Sequence, residues 1–286
     1  MLVKLKNDKI TMVISTLGAE PQSLVFEGRE YLWNGNKEYW FRRAPLLFPM
    51  IGPTKDDKIG FEGKEYSMPN NGFARDMEFT LVGQSESEAV FVLEDTAETR
   101  EKNYPFGFIL KVTYTLLENG YRAMADITAK DDLYYTFGWH PAFSLDINGK
   151  GADLETYTIS FEKEEKADRK YAKDGVFVYE KDFLVGDQIE LKRAETDKGP
   201  ITLDGIKSGE VTLTSSLGEH GVTVTMGKMD TFTCWTTLNK WAQFICLEPM
   251  LSFGDTKREF DISRMKETRL LKRGESENYT NEFIVF

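Results

Sequence analysis

The chain has 286 residues, 41% hydrophobic and 29% charged, with a formal net charge of -11. This describes a globular protein with one large core, and the acidic balance argues against nucleic acid or an anionic membrane as partner, since both need a basic face. No run of about 18 apolar residues offers a membrane span, and the start Met-Leu-Val-Lys-Leu-Lys lacks the layout of a signal peptide.

The first third reads as short strands separated by turns. Lys9 to Ser15 alternates and ends at Leu17-Gly18-Ala19. Ser23 to Phe26 and Tyr31 to Trp33 flank a hairpin signal at Glu27-Gly28. Ala44 to Pro53 is apolar but carries three prolines, which keeps it out of a central ladder position. Gly60 to Met68 reads as a hairpin turning at Glu62-Gly63, and Met68 to Asp76 as a polar loop. Met77 to Val82 and Ala89 to Leu93 read as strands. Phe108 to Leu116 and Tyr121 to Thr128 form a long hairpin around Glu118-Asn119-Gly120. Leu110, Val112, Tyr114 and Leu116 share one face of its first strand, the period of two that marks a half-buried antiparallel strand.

Asp146 to Asp174 is more charged and reads as surface excursions. Glu210 to Ser215 and Val222 to Met226 form another hairpin, with His220 in its exposed turn. Phe232 to Trp235, Gln243 to Leu247 and Asn281 to Phe286 read as further strands. Only Thr96 to Asn103 and Ser263 to Leu271 suit helices. Many short strands with few helices imply an all-β fold, a large antiparallel β-sandwich or barrel, in one domain spanning 1–286.

Cys234 and Cys246 each sit in an apolar run and read as reduced core thiols of a cytoplasmic protein. With two histidines and two cysteines, no cluster has zinc-site spacing, and no structural metal is expected. There is no nucleophile elbow, Walker loop or dinucleotide fingerprint.

Two stretches carry titratable groups in apolar settings. In Tyr134 to Phe143, His140 lies between Trp139 and Pro141, so the protein sets its protonation state. Pro141 stiffens the backbone just after it. That pattern suits a proton-transfer site, and it equally describes an ordinary core histidine. In Phe244 to Leu251, Glu248 interrupts an apolar strand. Such a carboxyl must be hydrogen-bonded, protonated or exposed in a cleft. It reads either as a general base with a raised pKa or as a strand-end glutamate facing solvent. The loop Asn70 to Arg75 offers amides and a guanidinium that match an array of hydroxyls. Trp139 is the candidate for stacking on an apolar sugar face.

Taken together these pieces resemble the aldose 1-epimerase (galactose mutarotase-like) family, in its LacX-like branch. The resemblance runs in order through Thr16-Leu-Gly-Ala-Glu20, Glu30-Tyr-Leu-Trp33, Ala44 to Gly52 and Asn71-Gly-Phe-Ala-Arg75. It continues through Tyr104-Pro-Phe-Gly-Phe108, Gly138-Trp-His-Pro-Ala-Phe143, Trp235 and Cys246-Leu-Glu-Pro249. It implies a galactose mutarotase-like supersandwich and an isomerase that interconverts the α and β anomers of a hexose. His140 would be the acid on the ring oxygen and Glu248 the base on the anomeric hydroxyl, with no cofactor. Asn71, Arg75, Trp139 and Lys55 would bind the sugar, phosphorylated or not. Arg42, Arg43 and Lys55 are the candidates for meeting a phosphate.

The chain departs from the family pattern at three places. Asn71 stands where the family has histidine, and an amide cannot transfer a proton at neutral pH. Pro53 follows Gly52 where a basic residue is usual, leaving Lys55 as substitute. The family's acidic residue before Glu210 has no clear match, with Asp197 and Asp204 nearby. The alternative on the same fold is a non-catalytic carbohydrate-binding or sugar-sensing protein.

Overall fold

In the computed structural model the described residues are 1–173, 176–253 and 259–286. Among them, 15 strands join into one sheet, and four more, from Leu2–Lys6 to Arg29–Glu30, form a second. The pairings within both are antiparallel. The expected hairpin is present as Phe108–Leu116 against Gly120–Ala129, with Leu116 opposite Tyr121. Its turn needs glycine: Gly120 has φ 155 and presses its backbone on the Phe283 carbonyl. The helix Ala97–Lys102 lies inside the expected span. It starts at Thr96, whose side chain accepts from the Thr99 N–H at 3.1 Å.

Three segments differ from expectation. Leu2–Lys6 is a strand that pairs with Ile10–Ser15, burying Val3 and Leu5. Ser263 to Leu271 is not a helix: its end, Arg269–Leu271, pairs with Leu133–Tyr135. Serine and threonine hydroxyls there bond to local backbone and side-chain groups, as turns do. Asp146 to Asp174 is not mainly surface excursion: Tyr157–Lys173 is a long strand inside the large sheet, between Ile201–Leu203 and Glu210–Ser215. Residue 174 lies outside the described residues. No described helix is long and apolar enough to cross a membrane.

Strand alternation divides one end of the large sheet into two environments. There Gly138–Trp139, Phe244–Met250, Thr231–Trp235 and Ile201–Leu203 lie side by side. Directly opposed residues point to the same face. Leu247 opposes Cys234, and Pro249 opposes Phe232, which opposes Leu203. Leu203, Phe232, Cys234 and Leu247 join the main core and are fully buried. Burying each of the large apolar ones contributes roughly 1.5–3 kcal/mol, which fixes the sheet's orientation. The other face carries Glu248 opposite Thr233, Cys246 opposite Trp235, and Met250 opposite both Thr231 and Gly138.

Candidate active site

That second face is the floor of a cavity of about 510 Å³, a size typical of small-molecule sites. Glu248 enters it because it lies two residues from Cys246 and from Met250 on one strand. His140 enters by the same count: Gly138 opposes Met250, and His140 is two residues further on. Its backbone N–H donates to the Pro45 carbonyl at 3.0 Å. Pro141 follows, so the backbone is held on both sides. His140 Nδ1 then lies 3.5 Å from Glu248 Oε1. Both residues are buried, and neither of these two atoms has a hydrogen-bond partner. The Trp40 ring stacks on the imidazole at 5.0 Å and 27°, and Trp235 meets it edge-on at 5.6 Å.

Burial sets the protonation of this pair. It pulls His140 down to about 3, assisted by the nearby Arg75 guanidinium. It pushes the Glu248 carboxyl well above the usual carboxylate range. Both shifts favour the uncharged forms, a neutral imidazole beside a carboxylic acid. Burial without a compensating hydrogen bond favours Glu248 over His140 as the holder of a proton between them.

The Asn70 to Arg75 loop forms one wall. Asn71 and Gly72 both adopt left-handed backbone, φ 65 and φ 73, the conformation Asn-Gly favours. A side chain at Gly72 would run into the Phe48 carbonyl. Asn71 Oδ1 accepts from the Gly52 N–H at 2.7 Å, so its carbonyl is occupied by the fold. Arg75 donates to the Asn70 carbonyl, and its Nε, 3.9 Å from Asp76 Oδ2, makes no hydrogen bond. Burial and the neighbouring Arg42 draw its pKa down to about 10. Arg42 also lines the cavity; it donates to the Arg75 carbonyl at 3.3 Å and pairs with Asp76.

The cavity thus brings together His140, Glu248, Asn71 and Arg75. Trp139 is a correction. Being adjacent to His140, it faces the opposite side of its strand; it is buried in the main core, where its Nε1 donates to Asn281 Oδ1 at 2.9 Å. Lys55 is a second correction. Thr54 turns the chain away by donating to the Met68 carbonyl, and Lys55 follows on an exposed turn, bridged to Lys58. Of the three phosphate candidates only Arg42 lines the cavity, while Arg43 donates to the Gln22 carbonyl. Asp204 holds Lys170, and Asp197 accepts from the Asn239 N–H; neither lines the cavity. His220 is half-buried beside Tyr31 and the Phe286 carbonyl.

Sequence reasoning missed Trp40 and Trp235 as members of the wall. Trp235 had a findable signal: it lies on a strand that alternates, two residues from Thr233. Trp40 sits in a loop, and nothing local distinguishes it from a core tryptophan.

A sequence model of the family described as Aldose 1-epimerase matches residues 1–252. The chain is 30% identical over 276 residues to the plasmid-borne protein LacX of Lactococcus lactis subsp. lactis, covering 92% of this chain and 91% of LacX. Among solved structures, a galactose mutarotase-like protein from Lactobacillus casei ATCC 334 superposes with a TM-score of 0.91 at 28% identity, over 100% of both chains. A galactose mutarotase related enzyme from Lactobacillus acidophilus does so with a TM-score of 0.91 at 25% identity, over 100% of this chain and 97% of that one.

Proposed function

The chain belongs to the aldose 1-epimerase family, and from that premise we propose that it interconverts the α and β anomers of a hexose through His140 and Glu248. The observation that carries this reading is the buried pair, 3.5 Å apart, with both facing atoms unpartnered at a cavity. Ring opening needs one group to protonate the ring oxygen and another to take the proton of the anomeric hydroxyl. A pair that shares one transferable proton supplies both. After rotation about the opened carbon, ring closure on the other face runs the same transfers in reverse. The chemistry calls for two proton-transfer groups and no cofactor.

The family pattern makes His140 the acid and Glu248 the base. That order requires the pair's proton to sit on His140 as the ring opens. Sugar hydroxyls entering the cavity supply the hydrogen bonds that the charged forms lack when it is empty. Arg75 and the Asn71 amide donor bind further hydroxyls, and Trp40 holds the imidazole plane. The free, buried Cys234 and Cys246 fit a reducing, cytoplasmic setting.

Polarimetry or NMR of freshly dissolved α-glucose and α-galactose tests the proposal. We expect His140→Ala and Glu248→Gln each to lower the rate by roughly 10²–10⁴-fold. Equal rates for wild type and both variants across a broad sugar panel would rule it out. Asn71, which cannot transfer a proton, favours one other reading: a protein that binds sugar without turning it over. Calorimetric binding without rate enhancement would establish that instead.

A further inference from the structure

Cys246 lies on the same strand face as Glu248, two residues away, and the proposed chemistry gives it no task. It is fully buried among Trp33, Ala142 and Phe244. Its Sγ, one imidazole nitrogen of His140 and a Glu248 carboxylate oxygen all lie within 4.8 Å of one another. His140 Nδ1 and Glu248 Oε1 are buried, face each other and have no hydrogen-bond partner. Their 3.5 Å separation is close to the roughly 3.3 Å expected between nitrogen and oxygen ligands on a tetrahedral zinc ion. Sulfur lies roughly 3.5 Å from nitrogen or oxygen ligands on such an ion, so the thiol has to move in to complete the set.

We infer that His140, Cys246 and Glu248 form a binding site for one thiophilic divalent cation, Zn²⁺ or Cd²⁺, which on entering occupies both proton-transfer groups. Thiolate, imidazole and carboxylate suit these ions, whereas Mg²⁺ and Ca²⁺ take larger, all-oxygen ligand sets. His140 and Glu248 line the cavity, so an ion can enter from it. The fourth coordination position then faces the cavity, where water completes it. The protons on the thiol and the carboxyl leave as the metal binds. The cation acts here as an inhibitor: it holds the nitrogen and oxygen that a sugar would meet. The cation site rests on geometry alone; only its effect on turnover rests on the proposed epimerase reading.

Cys234 is the internal control. It lies on the neighbouring strand opposite Leu247, and so on the other face. It is also the only other cysteine in the chain. The experiment titrates Cd²⁺ into the chelator-treated full-length protein. It follows the ultraviolet thiolate-to-metal charge-transfer band, with calorimetry for stoichiometry. We expect one ion per chain and a saturable band. The band persists in Cys234→Ala, whose single remaining thiol is Cys246. It disappears in Cys246→Ala and Cys246→Ser. In His140→Ala the affinity falls at least ~10-fold. The Cys234→Ala measurement decides the matter even if the Cys246 variants do not fold. No saturable binding, no band in folded Cys234→Ala, or a band that survives in Cys246→Ala overturns the inference.

A second arm measures mutarotation with Zn²⁺ present. We expect inhibition in wild type, reversed by chelator and weakened by raising the sugar concentration. Cd²⁺ binding as above without turnover of any sugar would sink the epimerase reading and leave the cation site standing. Turnover without cation binding would do the opposite.

Discussion

At the residue scale, the proposed chemistry turns on a histidine and a glutamate whose burial favours their uncharged forms. The His140 pKa in the fold, about 3, lies below the ordinary 6.5, so between those values the unfolded chain takes up a proton that the fold refuses. Stability therefore falls as pH drops through 6.5 towards 3. The Glu248 shift runs the other way. The fold keeps a proton that the unfolded chain releases near 4.5, and stability falls as pH rises above that. Glu248→Gln should abolish the alkaline-side loss and keep the acid-side one, measured by denaturant unfolding at a series of pH values. Activity should show a broad plateau in kcat/KM, with an acid limb below 6.5 and an alkaline limb above the ordinary carboxylate value. A single limb centred on 6.5 would contradict this placement of the proton. Asn71 separates binding from folding. Asn71→Asp retains the acceptor for the Gly52 N–H but removes the amide donor. We expect KM for sugar to rise about tenfold, as for one lost hydrogen bond, while the melting temperature changes little. His140, Glu248, Asn71 and Arg75 were legible in the sequence because each is a polar group set in an apolar or turn context. Trp139 does not reach the cavity because neighbours on a strand face opposite sides, which sends it into the main core.

At the element scale, the long strand Tyr157–Lys173 was the main feature the sequence concealed. Its Tyr157, Ile159 and Phe161 alternate inward, but Glu162 to Glu164 are consecutive, charged and exposed, which hides the period. Its buried Glu165 is satisfied by the Ser208 hydroxyl and backbone N–H, contacts that no local pattern announces. Further along, Arg169 is fully buried. It donates to the Pro200, Glu195 and Gly199 carbonyls and pairs with Glu195, while Tyr171 and Phe183 cover its guanidinium. Pro200 lines the cavity, so this arginine ties a core strand to the site wall. Arg169→Leu leaves the Pro200, Glu195 and Gly199 carbonyls without this donor, while Lys198 still pairs with the half-buried Glu195 carboxylate. The expected cost is about 1–3 kcal/mol in chemical denaturation. A loss under 1 kcal/mol would mean that the loop holds itself.

At the scale of the whole molecule, the smaller sheet braces one wall of the cavity from behind. Glu20, on the smaller sheet, accepts from the Arg43 N–H at 2.6 Å and the Ala44 N–H at 3.0 Å. That contact anchors the segment bearing Trp40 and Arg42 against the strands that carry His140 and Glu248. Glu20→Ala should cost about 1–3 kcal/mol. It should also lower kcat more than it raises KM, because Trp40 would no longer be held on the imidazole. Steady-state kinetics beside thermal melting would show whether the two losses travel together. The motif order made the family and the all-β class readable, since strands and turns are local. The bracing of the Arg43 to Ala44 segment by the Glu20 carboxylate was not, because it links residues distant in sequence. One feature of the strand Phe244–Met250 bears on how such a chain can diverge. Its odd and even positions belong to different environments, one apolar core and one reactive cavity. Point substitutions can retune either side independently. A single inserted or deleted residue upstream within that strand would exchange the two sides at once, delivering Leu247 to the cavity and a carboxyl to the core. Along this strand a replacement is therefore far less disruptive than a change of length.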